Sequence, residues 1–581
     1  MAFLIDPRRG DIEDDASSPR KRSLTALAGT LLVEISLPKF ALAWMLLIGL
    51  PCLLLGLAPL VAVAWLYTVS RKLGDAASGL WPWLVLIGLA MVGWLGGARA
   101  YRLAEGSFWS LNALVVQPSF TLLRETLRHA SGHRLPARFG LEGARLHRAT
   151  ALGAGLLLSA VAALLVLGAW PYSRWTGQIA DLASPLRLLM PALANSVVIV
   201  GLYLAVAALV WGIVDAAMDQ PIDLEAFDDE PAHGRVWRVA HLSDLHVVGE
   251  RYGFRIECGR DGPQGNGLLE RVLTELERVH AERPLDLVLV TGDITDAGRS
   301  TEWAEFLDVL GRHPALMERM LILPGNHDVN VVDRANPARL DLPGSPAKRL
   351  RQLRMLAVTA GIQGERVSAG RAGDGADQRL SRRLASCERA IKDFSDGARS
   401  RGAPLNQLWE QAFPMVLAPE TPDGLGVVLL NSNADTHFSF TNALGLIEAE
   451  QASRLTATLR AFPEARWIVA LHHHLVEYPR PTRILSKRIG TALINGSMLL
   501  RRIQPWSARI VVMHGHRHVD WIGRCGGVRI LSTPSPVMID PADRTAHVYV
   551  HRLAARAGGL ALLSPERLSI GVASAQAVAS P

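Results

Sequence analysis

At 581 residues the chain is too long for one ordinary domain, and its 49% apolar content is spread so unevenly that units of different character are expected. A net charge of +7 would suit a nucleic-acid partner if Lys and Arg formed one patch, but they gather at the ends of apolar runs and between Asn336 and Arg401, so no nucleic acid is expected. The four cysteines, Cys52, Cys258, Cys387 and Cys525, have no paired spacing, which excludes a disulfide framework and a thiolate zinc site and fits a reducing compartment.

Residues 1–39 are polar and charged and read as a cytoplasmic tail. Residues 40–218 carry four apolar runs: Phe40 to Leu66, Leu80 to Gly97, Ala151 to Trp170 and Leu188 to Ile213. Each can cross a hydrocarbon core about 30 Å thick, which takes roughly 20 helical residues, so an all-α domain of four transmembrane helices is expected. The first run begins too late and is too long for a signal-peptide core. Trp81, Trp83, Trp170 and Trp175 fall near span ends, where amphipathic rings prefer to sit. Pro191 and Asn195 inside the fourth run read as packing features. Ser107 to Phe120 is half apolar and reads either as an interfacial amphipathic helix or as a simple loop.

Loop charge sets the orientation, because basic residues are retained in the cytoplasm during insertion. The tail holds Arg8, Arg9, Arg20, Lys21, Arg22 and Lys39, and the second loop runs from Arg99 and Arg102 through Arg124, Arg128, Arg134 and Arg138 to Arg145 and Arg148. The other two loops have far fewer, which predicts an integral protein of the inner or plasma membrane with both termini and the C-terminal domain in the cytoplasm.

Residues 219–235 contain six acidic residues with Pro221 and Pro231 and read as a linker. A soluble domain is expected over 236–555, followed by a tail over 556–581. Strand patterns at Val236 to Leu242, Leu285 to Val290, Met320 to Leu323, Val427 to Leu430, Trp467 to Leu471, Ile510 to Met513 and Val528 to Leu531 alternate with helical spacing at Leu269, Val272, Leu273, Leu276 and Val279, an α/β sandwich pattern. Residues 336–413 break it with Arg-, Ala- and Gly-rich helical pieces, which predicts a helical cap inserted near a site.

Five of these strands run directly into metal-ligating residue types. The first leads to Asp244 and His246, the second to Asp293, the third to Asn326, His327 and Asp328, and later ones to His472, His473 and His474 and to His514, His516 and His518. Beyond the carboxyl ends of strands, loops can converge, so five loops meeting at one site is the expectation. Mixed Asp, His and Asn donors suit two divalent or trivalent ions of Mn, Fe or Zn, and two ions need a bridging carboxylate, for which Asp293 stands out. Gly292, Gly325 and Gly515 each adjoin one of these residues, as tight turns would require, and Asp296 is expected to support a ligand.

The series Asp-x-His, Gly-Asp-x-x-Asp, Gly-Asn-His-Asp, His-His and Gly-His-x-His, from about Val236 to Leu553, resembles the calcineurin-like metallophosphoesterase superfamily, and its phosphodiesterase branch most. The resemblance implies a four-layer β-sandwich flanked by helices. It further implies Asp244, His246 and His518 at one metal, Asn326, His472 and His516 at the other, Asp293 bridging both, and His327 as acid or charge stabiliser oriented by Asp328. Leu-His-His-His-Leu stands where relatives often have His-His-Pro, leaving His472 or His473 as the ligand, with His472 favoured because it directly follows the strand.

The expected activity is hydrolysis of a small phosphodiester, such as a cyclic nucleotide, by a metal-activated hydroxide. The second reading is a phospholipid or nucleotide-lipid phosphohydrolase at the cytoplasmic membrane face, with the bilayer as partner. A third is a non-enzymatic, metal-bound membrane sensor or scaffold.

Overall fold

A computed structural model describes residues 41, 45, 49–76, 91, 116–134, 143–178, 181, 184–231, 234–250, 266–333, 339–341, 345–369, 379–395, 403–479, 491–538 and 545–571. They fall into two compact units, within Ile35–Met218 and within Asp219–Pro581.

The first unit is helical: α1 (Leu50–Ala76), α2 (Gln117–Arg134), α3 (Gly143–Ala169) and α4 (Leu189–Ala216). Three stretches, Leu50–Tyr67, Ala144–Tyr172 and Leu186–Ala216, are long and apolar enough to cross a membrane, with mean hydropathies of 2.1, 2.3 and 2.7. The run expected at Leu80 to Gly97 lies, Met91 apart, outside the described residues. Small residues such as Ala151, Ala154 and Ala208 are buried where α3 and α4 pack, while Leu156, Leu164, Leu167 and Val206 face outward, the distribution a lipid-facing bundle needs.

Asn195 is buried and satisfied: its amide donates to the carbonyls of Gly56 (3.1 Å) and Arg174 (2.7 Å) and its oxygen accepts from the Arg174 N–H (3.0 Å). It clamps α1 and the loop after α3 to α4, a packing role. The helix α2 starts at Gln117, near the end of the half-apolar segment Ser107 to Phe120, most of which lies outside the described residues. Arg124 on α2 pairs with Asp215 at the end of α4 (2.8 Å), and the Asp215 carbonyl meets His147 Nε2 (3.1 Å), so buried polar groups at these helix ends find partners.

The second unit begins with β1 (Ile222–Asp223), β2 (Val236–Leu242), α5 (Gly267–Glu282), β3 (Leu287–Val290), α6 (Ser300–Leu310), β4 (Met320–Ile322) and α7 (Pro346–Gln363). It continues through β5 (Ser368–Ala369), α8 (Leu380–Ser386), α9 (Glu388–Ser395), α10 (Ala403–Ala412), β6 (Met415–Leu417), β7 (Leu425–Leu429), α11 (Ala449–Ala461) and β8 (Arg466–Ala470). It closes with α12 (Gly496–Ile503), β9 (Ile510–His514), β10 (Trp521–Cys525), β11 (Val528–Ser532), β12 (Thr545–Arg556) and β13 (Gly559–Gly571).

Two sheets result, one ordered β1-β10-β11-β9-β8-β7-β6-β5 and the other β13-β12-β2-β3-β4. The inner strands β2, β3 and β4 of one sheet and β7, β8, β9 and β11 of the other run parallel, and both sheets feed one core through Val239, Val288, Leu289, Ile468, Val511 and Met513. Strands buried on both faces read as unbroken apolar runs, which is why these were visible in the sequence.

Three expectations change on the structure. The acidic residues 219–235 are not a free linker: β1 pairs antiparallel with β10, and Asp228 and Glu230 engage Arg529 and Arg552. The helical pieces expected as an inserted cap share the main core: Leu353, Met355, Leu356 and Val358 of α7 are buried with Met320 and Ile322, and β5 extends the larger sheet. Gln363 on α7 accepts from the Ile322 N–H and donates to its carbonyl, covering the exposed edge of β4. Finally, residues 559–571, expected in a tail, form β13, whose Leu560 and Leu562 are buried against β12.

Candidate metal centre

The loops after β2, β3, β4, β8 and β9 bring the expected side chains together. Asp244, His246 and His518 form one group whose ligand atoms lie within 4.8 Å of one another, and Asp293, His472 and His516 form another; His246, Asp293 and His327 form a third between them. His246 Nε2 faces His518 Nε2 at 3.3 Å, and His518 Nε2 lies 3.2 Å from Asp244 Oδ1. On the other side His472 Nε2 lies 3.3 Å from Asp293 Oδ2, 3.2 Å from Asn326 Oδ1 and 3.1 Å from His516 Nδ1. Asp293 Oδ2 is also 3.9 Å from His246 Nε2, so this carboxylate sits between the two groups.

The backbone carries a second signature. Among the described residues, the non-glycine residues in the left-handed region are Asp244 (φ 56°), His246 (φ 42°), Asp293 (φ 49°), His516 (φ 74°) and His518 (φ 54°), all of them in this cluster. Such conformations cost about 1–3 kcal/mol each and persist where the surroundings over-determine them, typically at functional sites. The glycines beside them are required by close approach: a Cβ on Gly325 would lie 2.1 Å from Asp293 N, and one on Gly515 1.9 Å from Ser243 Oγ.

Supporting bonds fix the rings. The Thr291 carbonyl meets His472 Nδ1 (2.8 Å), which leaves Nε2 to face the cluster, and Asp296 Oδ1 lies 3.4 Å from His246 Nδ1. His473 points elsewhere, its Nδ1 on Ser432 Oγ at 2.9 Å, so it is His472 that joins the cluster. Ser432 also accepts the N–H groups of His472 (3.2 Å) and His473 (3.1 Å), a holding role.

Asp328 does not orient His327. Its carboxylate accepts from the N–H groups of Thr295 (2.9 Å), Gly325 (2.9 Å) and Ile294 (3.3 Å) and from the Thr295 hydroxyl (2.8 Å), stitching two ligand-bearing loops together. The carbonyl of Asp296 meets His327 Nδ1 instead. A carboxylate one residue from a histidine is readily taken for its partner, but the one-turn helix at Asn326–Val329 turns Asp328 inward towards loop N–H groups.

The donor set fits a pair of cations. Burial opposes ionisation of Asp293, yet His472, His327 and His246 outweigh it and hold the carboxyl well below its usual range; His472, against its own burial, is pushed up to about 9 chiefly by Asp293. His516 Nε2 and Asn326 Nδ2 are buried without hydrogen-bond partners. Imidazole nitrogens facing one another beside two buried carboxylates form an arrangement in which a cation can take the place of a ring proton.

Residues 238–379, within the second unit, match the sequence model of the family described as calcineurin-like phosphoesterase. Among curated proteins, glycerophosphodiester phosphodiesterase GpdQ from Enterobacter lignolyticus is 39% identical over 93 residues, 16% of this chain and 29% of the relative. The match thus spans under a third of that relative's length. Solved structures with detectable likeness include a dimetal phosphatase from Danio rerio (12% identity, TM-score 0.32, 58% of this chain and 98% of that one). A putative 5'-nucleotidase from Staphylococcus aureus is similar at 14% identity, with TM-score 0.29, over 59% of this chain and 56% of that one.

Proposed function

We propose that the protein is a membrane-anchored dinuclear-metal phosphodiesterase whose catalytic unit faces the cytoplasm. The observation that carries this reading is the convergence of Asp244, His246, Asp293, Asn326, His472, His516 and His518 from five loops, with strained backbone confined to that cluster among the described residues. Asp244, His246 and His518 would hold one ion, Asn326, His472 and His516 the other, and Asp293 would bridge. When bound, the ions supply an acidified water as nucleophile and neutralise charge on the phosphoryl oxygens. The protein's own part is to aim that chemistry: Thr291 and Asp296 fix imidazole orientation, and His327, held through Nδ1 by the Asp296 carbonyl, presents Nε2 to protonate or stabilise the departing oxygen.

The four-layer sandwich and a fourth span at Leu80 to Gly97 belong to the same proposal. A small soluble diester is the leading substrate class, supported by the similarity to a protein named as a glycerophosphodiester phosphodiesterase. The apolar helices favour a second substrate class, a phosphodiester carried on a lipid. The full-length protein, purified in detergent with Mn²⁺, should hydrolyse bis(p-nitrophenyl) phosphate faster than p-nitrophenyl phosphate. Asp293→Asn should abolish both activities. No turnover of either, with metal shown to be bound, would move the assignment to a strict lipid substrate or a sensor.

A further inference from the structure

The acidic strap that follows α4 meets the sheet beside the ligand loop. Five residues, Ala217 to Pro221, separate the end of α4 from β1. The pairing of β1 is with β10, at Ile222 opposite Arg524 and Asp223 opposite Gly523, and is extended by the Leu224 N–H on the Ile522 carbonyl. The strand β10 starts at Trp521, three residues after His518.

From that strand a run of packed rings leads back to a proposed metal ligand. Asp223 Oδ1 accepts the Trp521 indole N–H at 2.9 Å. The Trp521 ring meets Tyr478 edge-on at 5.5 Å; Tyr478 stacks on His474 at 5.8 Å, and His474 stacks on His516 at 6.1 Å with its plane tilted by only 13°. Arg517, between the two ligands of its loop, lies over the Tyr478 ring at 5.3 Å and pairs with Glu477 at 2.7 Å. Tyr478 and Ser532 share a hydrogen bond of 2.9 Å, and Ser532 donates to the Val519 carbonyl at 2.7 Å, directly after His518.

Two sequence features fit this arrangement. The first is His474, the third histidine where relatives often have proline; its flat ring bridges Tyr478 and His516. The second is Gly523: a Cβ there would lie 2.1 Å from Trp521 Cζ2 and 2.5 Å from the Ile222 carbonyl, so a glycine is needed for strap and indole to approach together.

We infer that Asp223, Trp521, Tyr478 and His474 are positioning residues that hold the His516–His518 loop in its metal-binding geometry, with the strap after the last apolar helix as its outer clamp. The inference rests on the proposed metal centre, and it goes further by making that centre's affinity depend on the segment where the chain leaves the apolar helices. Groups that orient metal ligands commonly change affinity by about 10–100-fold when removed.

The test is Mn²⁺ titration of the full-length metal-stripped protein in detergent, read by electron paramagnetic resonance of free Mn²⁺, with turnover of bis(p-nitrophenyl) phosphate measured in parallel. Asp223→Ala and Trp521→Leu should each weaken binding of about one ion per chain by roughly 10-fold and lower kcat more than KM, with Trp521→Phe recovering part of the loss. Asp228→Ala, which cuts the strap's contacts to Arg529 and Arg556 but not to Trp521, should leave Mn²⁺ affinity unchanged. Unchanged affinity in Asp223→Ala and Trp521→Leu overturns the inference, as does an equal loss in Asp228→Ala. Because binding is read without turnover, a protein that binds Mn²⁺ as described but hydrolyses neither ester would overturn the soluble-diester reading and leave this one standing.

Discussion

Asp296 and Asp328 show how a residue's task depends on where its oxygens point. Asp296 reaches His246 with its carboxylate and His327 with its carbonyl, so Asp296→Asn should keep the second contact and weaken the first. We expect a fall in kcat of about 10-fold and a higher Mn²⁺ requirement, with little change in melting temperature. Asp328→Asn should act in the opposite manner. Its carboxylate accepts four bonds from buried donors, and an amide would turn an NH₂ towards N–H groups, so about 2–3 kcal/mol of stability should be lost and be visible as a lower unfolding midpoint. The clustering of the seven candidates was legible in the sequence because each lies in a loop that follows a buried strand. What Asp328 does was not, because a one-turn helix decides whether a side chain faces its neighbour or the loop behind it.

At the scale of elements, apolar runs announced the inner strands, whereas β1 and β13 escaped notice. The strap is acidic and proline-bearing like a linker, and only its strand pairing and arginine partners on β11 and β12 reveal its role. The pairing of β12 with β2 carries a testable cost. His551 on β12 is buried, 5.7 Å from the ring of His241 on β2, and burial pushes it down to about 4 despite the pull of Asp520. In the unfolded chain it titrates near 6.5, so between those values the unfolded state takes up the proton and the folded state does not. Its contribution is therefore intact above about pH 6.5 and lost as pH falls towards 4, up to about 3 kcal/mol. Thermal unfolding of the full-length protein from pH 7.5 to pH 4.5 should show this decline, and His551→Phe should flatten it. An unchanged slope in the variant would mean that other buried histidines, such as His241, carry the effect.

For the whole molecule, the proposed membrane anchoring predicts which side of the bilayer the second unit occupies. The three described apolar helices are long and apolar enough to cross a membrane and leave many leucines exposed, yet their number alone does not fix a side. The proposed orientation rests on charge: Arg124, Arg128, Arg145 and Arg148 sit on α2 or at the start of α3, between the first and last of those helices, and the positive-inside bias would keep that segment in the cytoplasm. The end of α3 and the start of α4 are joined by a connection with only Arg174 and Arg187 as basic residues, which suits the opposite face. On this proposal the chain crosses again through α4 and returns to the arginine-rich side, which puts the second unit in the cytoplasm. In sealed right-side-out vesicles a C-terminal epitope should resist added protease, and in inverted vesicles it should be removed. Active hydrolysis of a membrane-impermeant diester should likewise appear only after inversion or permeabilisation. Protease access in right-side-out vesicles would reverse the topology and place the metal centre in an extracytoplasmic compartment, where a substrate shed from the outer leaflet would replace a cytoplasmic diester as the leading candidate.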